Sequence, residues 1–119
     1  RLEAAGQALA TLVRAEEESG RAVGFIVSSD MNHFADRQTT LEKDALALDR
    51  LLALDPEGLF RTVRDNDISM CGVCPATLAL YVVKALGGRT AELVRHGTSG
   101  DVTGETRQVV GYAGAYVRA

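Results

Sequence analysis

Nothing in these 119 residues approaches the roughly 20 consecutive apolar positions that a membrane-crossing helix needs. An excess of basic charge is missing too. Thirteen Lys and Arg stand against 16 Asp and Glu, for a net charge of −3, whereas a nucleic-acid-binding surface normally carries a basic stripe. No secretory leader opens the chain: in "RLEAAGQALATLVRAEEESG" the apolar residues are spaced along a helix face and not massed into one block. Cysteine is scarce, two in all, and two cysteines without a secretory signal fit a reducing cytosol. These absences predict a cytoplasmic domain whose partners include neither membrane nor nucleic acid. No internal repeat and no linker is visible. An initiator methionine is missing as well: the chain starts at Arg1 inside a helical pattern, as expected of a piece cut from a longer protein.

What is there is enough for one core. Hydrophobic residues make up 46% of the chain, and the 24% that are charged are well mixed. Leu2, Ala5, Leu9, Leu12 and Val13 share a helical face, which predicts a first helix over 3–19. "AVGFIVSSD" (22–30) reads as a short strand buried on both faces. Thr39 with Glu42 forms a capping box for a helix continuing through Leu41, Ala45, Leu48 and Leu52. Asp55-Pro56 starts another, with an N-cap and a proline at the first helical position, and Leu59, Phe60 and Val63 as its apolar side. "PATLALYVVKALGG" is a helix ended by Gly87-Gly88. Residues 90–96 and 107–117 read as strands, joined by the loop "GTSGDVTGE".

The predicted fold class is therefore α/β, with an incomplete mixed sheet packed by helices. Three strands make a thin sheet, and a strand apolar on both faces needs cover. The expected partner is either a missing N-terminal half or a second copy of the chain.

Two segments could carry chemistry. "SSDMNHF" (28–34) follows the predicted buried strand at its C-terminal end, where open α/β sheets bind ligands. Asp30 and His33, three apart in a turn, can share a proton or fix the imidazole's orientation. The plain alternative, a capped turn with a polar loop histidine, stays open. Cys71 and Cys74 precede a helix, and amide dipoles at a helix start favour a thiolate. A lone CxxC lacks the second ligand pair of a zinc clip, and it comes too late in the chain for a thioredoxin-type pair. On the residues alone, two small buried thiols are the simpler reading. His96 ends a strand beside a loop whose amides could cradle an anion, although a connecting loop is the simpler role. Tyr112 and Tyr116 read as sheet packing.

Taken together, "SSDMNHF" (28–34), "CGVCPATLAL" (71–80) and "HGTSGDVTGETRQVVGYAGAYV" (96–117) resemble the Memo family, whose bacterial and archaeal members are called AmmeMemoRadiSam system protein B. The resemblance places residues 1–119 in the C-terminal part of a Memo-like domain, in a family whose members are more than twice this length. It implies a fold similar to the class III extradiol dioxygenases, which hold a non-haem iron. It implies that His33 is the acid–base histidine, that Asp30 lines the same pocket, and that Cys71 is a metal ligand where those enzymes use a glutamate. Two further family ligands are histidines in His-Ala-Gly-Tyr and Ser-His-His motifs, and neither motif occurs here. Half a site implies that an ion (Fe, Cu or Zn on the chemistry of thiolate and imidazole) belongs to the full-length parent, and that this stretch alone holds none firmly.

Three functions follow as expectations. One is a metal-dependent, dioxygenase-like oxidoreductase. A second is a non-enzymatic metal-handling or peptide-binding module, with a radical S-adenosylmethionine protein as the companion implied by the bacterial relatives. The third, from the residues alone, is a thiol oxidoreductase using Cys71 and Cys74.

Overall fold

The computed structural model describes residues 1–118. Their order is α1 (Leu2–Glu18), β1 (His33–Ala35), α2 (Arg37–Leu52), α3 (Pro56–Asp65), α4 (Val73–Ala85), β2 (Thr90–Thr98), α5 (Gly100–Thr103) and β3 (Val109–Arg118). The chain adopts the expected α/β class, an open three-stranded sheet packed by helices. Strand order is β1-β3-β2, and both ladders are antiparallel. β2 and β3 pair from Thr90↔Arg118 to Thr98↔Gly111, with a shift between Leu93 and Arg95 that leaves Val94 as a bulge. β1 lies on the other side of β3. Its pairing extends upstream, because Met31 N–H reaches Gly111 O at 2.8 Å and Gly111 N–H reaches Asn32 O at 2.9 Å.

Helix starts follow available acceptors. Asp55 caps α3 by accepting from Gly58 N–H at 2.9 Å, with Pro56 in the first turn, as expected. α2 starts earlier than the Thr39–Glu42 box predicts. Asp36 is its N-cap, and its carboxylate accepts both the N–H and the hydroxyl of Thr39. Thr39 is thereby the third residue inside the helix, bonded to the cap and not itself the cap. Those bonds, the Thr39 backbone N–H first, hold the Asp36 carboxyl below the ordinary carboxylate range.

The main core gathers Met31, Ala47, Leu48, Leu59, Val63, Ile68, Met70, Ala76 and Leu80. Two helix faces are rotated from their predicted positions. α1 buries Gly6, Ala10 and Val13 and leaves Leu12 62% exposed, because Gly6 lies so close to Tyr81 on α4 that a methyl there would overlap it. α2 buries Thr40, Asp44, Ala47 and Leu48, while Ala45 is exposed. Phe60, expected on the apolar side of α3, is part-exposed beside buried Leu59 and Val63.

The largest departure is at residues 22–30, where the buried strand was expected. Among the described residues no strand runs beside that segment, and it forms no ladder. Val23, Phe25 and Val27 are partly exposed and Ile26 is 99% exposed. A β-strand needs neighbours for its amides, and composition alone cannot supply them. Val23, Phe25 and Val27 instead wall an apolar cavity of about 370 Å³ against α4 and β3. The outline is elongated, 50 × 27 × 19 Å. Its radius of gyration is 15.3 Å, against about 13.5 Å for a compact chain of this length. No helix among the described residues is long and apolar enough to cross a membrane.

Candidate metal centre

Two segments, 28–33 and 69–72, irregular up to the start of β1, run side by side and are joined through side chains where a sheet would use a ladder. Ser29 Oγ accepts from Gly72 N–H at 2.8 Å and donates to Asp30 O at 2.7 Å. Asp30 N–H points at Cys71 Sγ, 3.3 Å away. Asn32 Oδ1 accepts from Ser69 N–H at 3.0 Å and from its hydroxyl at 3.1 Å. His33 N–H donates to Ser69 Oγ at 2.7 Å. Gly72 makes this approach possible: a Cβ there would lie 2.4 Å from Ser29 Cβ and 2.9 Å from Ser28 O. Such overlap with backbone is not relieved by a rotamer change.

The joining brings Asp30, His33 and Cys71 together. One ligand-type atom from each lies within 4.8 Å of the others. His33 Nε2 is 3.5 Å from Asp30 Oδ2, with the two side chains 21% and 46% exposed. His33 Nδ1 is 2.5 Å from Ser69 O. A carbonyl can only accept, so Nδ1 carries the proton and Nε2 faces the cluster with its lone pair. Donors on one tetrahedral first-row ion stand about 3.3–3.8 Å apart, from bond lengths of about 2.0–2.3 Å. The His33–Asp30 separation already matches, and the widest spacing would have to close by about 1 Å. Thiolate, imidazole and carboxylate form a coherent donor set for Fe, Cu or Zn and a poor one for Mg or Ca. The residues therefore fit such an ion.

Neighbouring features set the cluster apart from ordinary loop structure. Phe34 has φ +59°, a left-handed conformation unusual for a bulky residue. Leu54 and Asp67 share it (φ +54° and +51°), but each follows a helix end and closes it: Asp55 N–H reaches Arg50 O and Ile68 N–H reaches Val63 O. Phe34 closes no helix. It stands beside His33, the ring centroids 5.8 Å apart, and is 71% exposed.

The other candidates separate from this cluster. Both thiols are free and exposed, against the expectation of two buried ones. Cys71 precedes the Gly72 N-cap of α4, Cys74 lies within that helix, and only Cys71 joins the cluster. His96 is elsewhere, with Nε2 2.8 Å from Asp44 Oδ2. The loop after it contains the short α5, held because Asp101 accepts from Thr98 N–H at 2.9 Å. Tyr112 and Tyr116 stand on the sheet as expected, part-exposed, with the Tyr116 hydroxyl donating to its cross-strand partner Glu92. That bond raises the Tyr116 phenol above its ordinary value.

Sequence reasoning missed Asn32, Asp44 and Ser69. Asp44 is fully buried and accepts from Asn32 N–H at 2.8 Å as well as facing His96. One signal could have found it: Asp44 sits four residues from Thr40 and from Leu48, inside the stripe that α2 buries.

Known proteins bear on this geometry. The family model described as Memo-like protein matches residues 1–116. A MEMO1 family protein of Ignicoccus hospitalis is 44% identical over 103 residues, which cover 87% of this chain and 36% of that protein. One from Pyrobaculum arsenaticum is 40% identical over 91% of this chain and 37% of its own length. One from Methanococcoides burtonii is 40% identical over 90% of this chain and 40% of its own length. The chain thus spans little more than a third of the length of the curated relatives it matches, and across nearly all of its own length it belongs to the Memo-like protein family.

Proposed function

We propose that Asp30, His33 and Cys71 are this chain's share of a divalent-metal centre in a metal-dependent oxidoreductase, with Cys71 as metal ligand and His33 as the acid–base group. One observation carries the proposal: three side chains from two separate segments present ligand atoms within 4.8 Å of one another. An ion of the Fe, Cu or Zn type supplies Lewis acidity or electron transfer when bound. His33 keeps Nδ1–H on the Ser69 carbonyl, so Nε2 is the free ring atom, and it takes up and returns a proton beside the ion when it is not itself a ligand. Asp30 faces that nitrogen and accepts its hydrogen bond while the proton is held. Cys71 is held by the Asp30 N–H and needs no partner thiol, which leaves Cys74 without a role in the centre.

One ligand set supported by a single short chain is incomplete, and the exposed apolar run 23–27 invites cover. Further polypeptide of the same protein is proposed to supply both, in keeping with the greater length of the relatives. A non-enzymatic metal-handling or peptide-binding role is the second reading. It draws support from Phe34, whose exposed ring beside His33 offers an apolar contact.

The test is metal retention and oxygen consumption in the full-length protein. Cys71→Ala is expected to lose the ion, and His33→Ala to abolish turnover while weakening retention less. Retention without any turnover supports the second reading. Retention unchanged by Cys71→Ala overturns the metal assignment.

A further inference from the structure

We infer that Asn32 and Ser69 are positioning residues for the Asp30–His33–Cys71 cluster, anchored by the buried Asp44; this rests on reading that cluster as a metal centre. None of the three residues belongs to the cluster of ligand-type atoms. Asn32 is 2% exposed, and its backbone is fixed on both sides: its N–H goes to Asp44 Oδ1 and its C=O receives Gly111 N–H. Asp44 is 0% exposed, with its second oxygen facing His96 Nε2. Gly111 leaves room for that carboxylate, since a Cβ there would come within 1.8 Å of Asp44 Oδ2. Helix α2 and strands β2 and β3 thus form one frame around Asn32.

From this frame a single atom reaches out to the other segment. Asn32 Oδ1 takes both the N–H and the hydroxyl of Ser69, and Ser69 in turn holds His33 twice. Its hydroxyl accepts the backbone N–H, and its carbonyl accepts from Nδ1. Ser69 is itself exposed, so a buried asparagine spends its acceptor on a surface residue whose own contacts lie at the cluster. This arrangement selects the Nδ1–H tautomer of His33 and sets the distance of the following Cys71 from it. A backbone carbonyl on the far nitrogen of a ligating or reacting imidazole is a common means of fixing tautomer and orientation.

The test is nitrogen-15 NMR of the His33 ring in the metal-free full-length protein, in mildly alkaline buffer, together with zinc affinity. The unaltered protein should show a single Nδ1–H form. Asn32→Ala should show a mixture of tautomers and weaken zinc binding roughly 10–100-fold. Ser69→Ala, at an exposed position, guards against simple unfolding and should give a smaller change in the same direction. Ser69→Thr keeps the hydroxyl and should restore both readouts. Unchanged tautomer and unchanged zinc affinity in folded Asn32→Ala and Ser69→Ala proteins overturn the inference. Absence of zinc binding by the unaltered protein sinks the metal reading instead, and the tautomer result still decides the positioning role.

Discussion

The chain holds two His–Asp pairs, both joining Nε2 to Oδ2, and they are built for different ends. His96 and Asp44 meet at 2.8 Å with the carboxylate fully buried, and both carboxylate oxygens are engaged. His33 and Asp30 meet at 3.5 Å with both partly exposed and an exposed thiol alongside. The first pair ties α2 to the sheet. The second is looser, open to solvent, and assembled on irregular backbone next to a residue in the left-handed region. A closed pair with its acceptors used up serves structure, whereas an open pair with a free lone pair and a third donor within reach serves chemistry.

Stability should separate the pairs most sharply. Asp44→Ala leaves the Asn32 N–H and the His96 ring without their acceptor, and each buried polar group left unpaired costs about 1–3 kcal/mol. Asp30→Ala removes one side of an exposed pair and should cost less than about 1 kcal/mol. Urea midpoints of the two variants check this. Equal losses would erase the distinction between the pairs.

Acid offers a smaller probe at a third aspartate. Asp101 is exposed, and its carboxyl is held below its ordinary 3.8, first by the Thr98 N–H and also by Arg37. A depressed carboxyl contributes to stability above its unfolded value, and that contribution is lost as pH falls through the lower folded one. The Thr98 amide resonance should therefore hold its position through 3.8 and shift only below it. A shift centred on the ordinary value would mean that the turn is not held by this carboxylate.

Much of the fold is legible from local rules. The Asp55-Pro56 start, the Gly87-Gly88 end of the helix after the cysteines and the turn-rich loop between β2 and β3 all act within a few residues of one another. Residues 22–30 misled because a fully apolar run states only that both faces want cover, and the neighbour that would make it a strand is not among the described residues. Asp44 was missed for the opposite reason. Charge predicts exposure, and its burial depends on an amide and an imidazole distant in sequence. At the site, Asp30, His33 and Cys71 could be named from their motifs. Ser69 and Asn32 could not, because nothing in their own surroundings announces a contact across 37 residues.

Cobalt(II) absorption is the most direct measurement of the centre. A full-length protein loaded with cobalt should show a thiolate-to-metal charge-transfer band that survives Cys74→Ser and disappears with Cys71→Ala. A band lost with Cys74→Ser but kept with Cys71→Ala, or no band at all, would contradict a metal held by Cys71 beside His33 and Asp30.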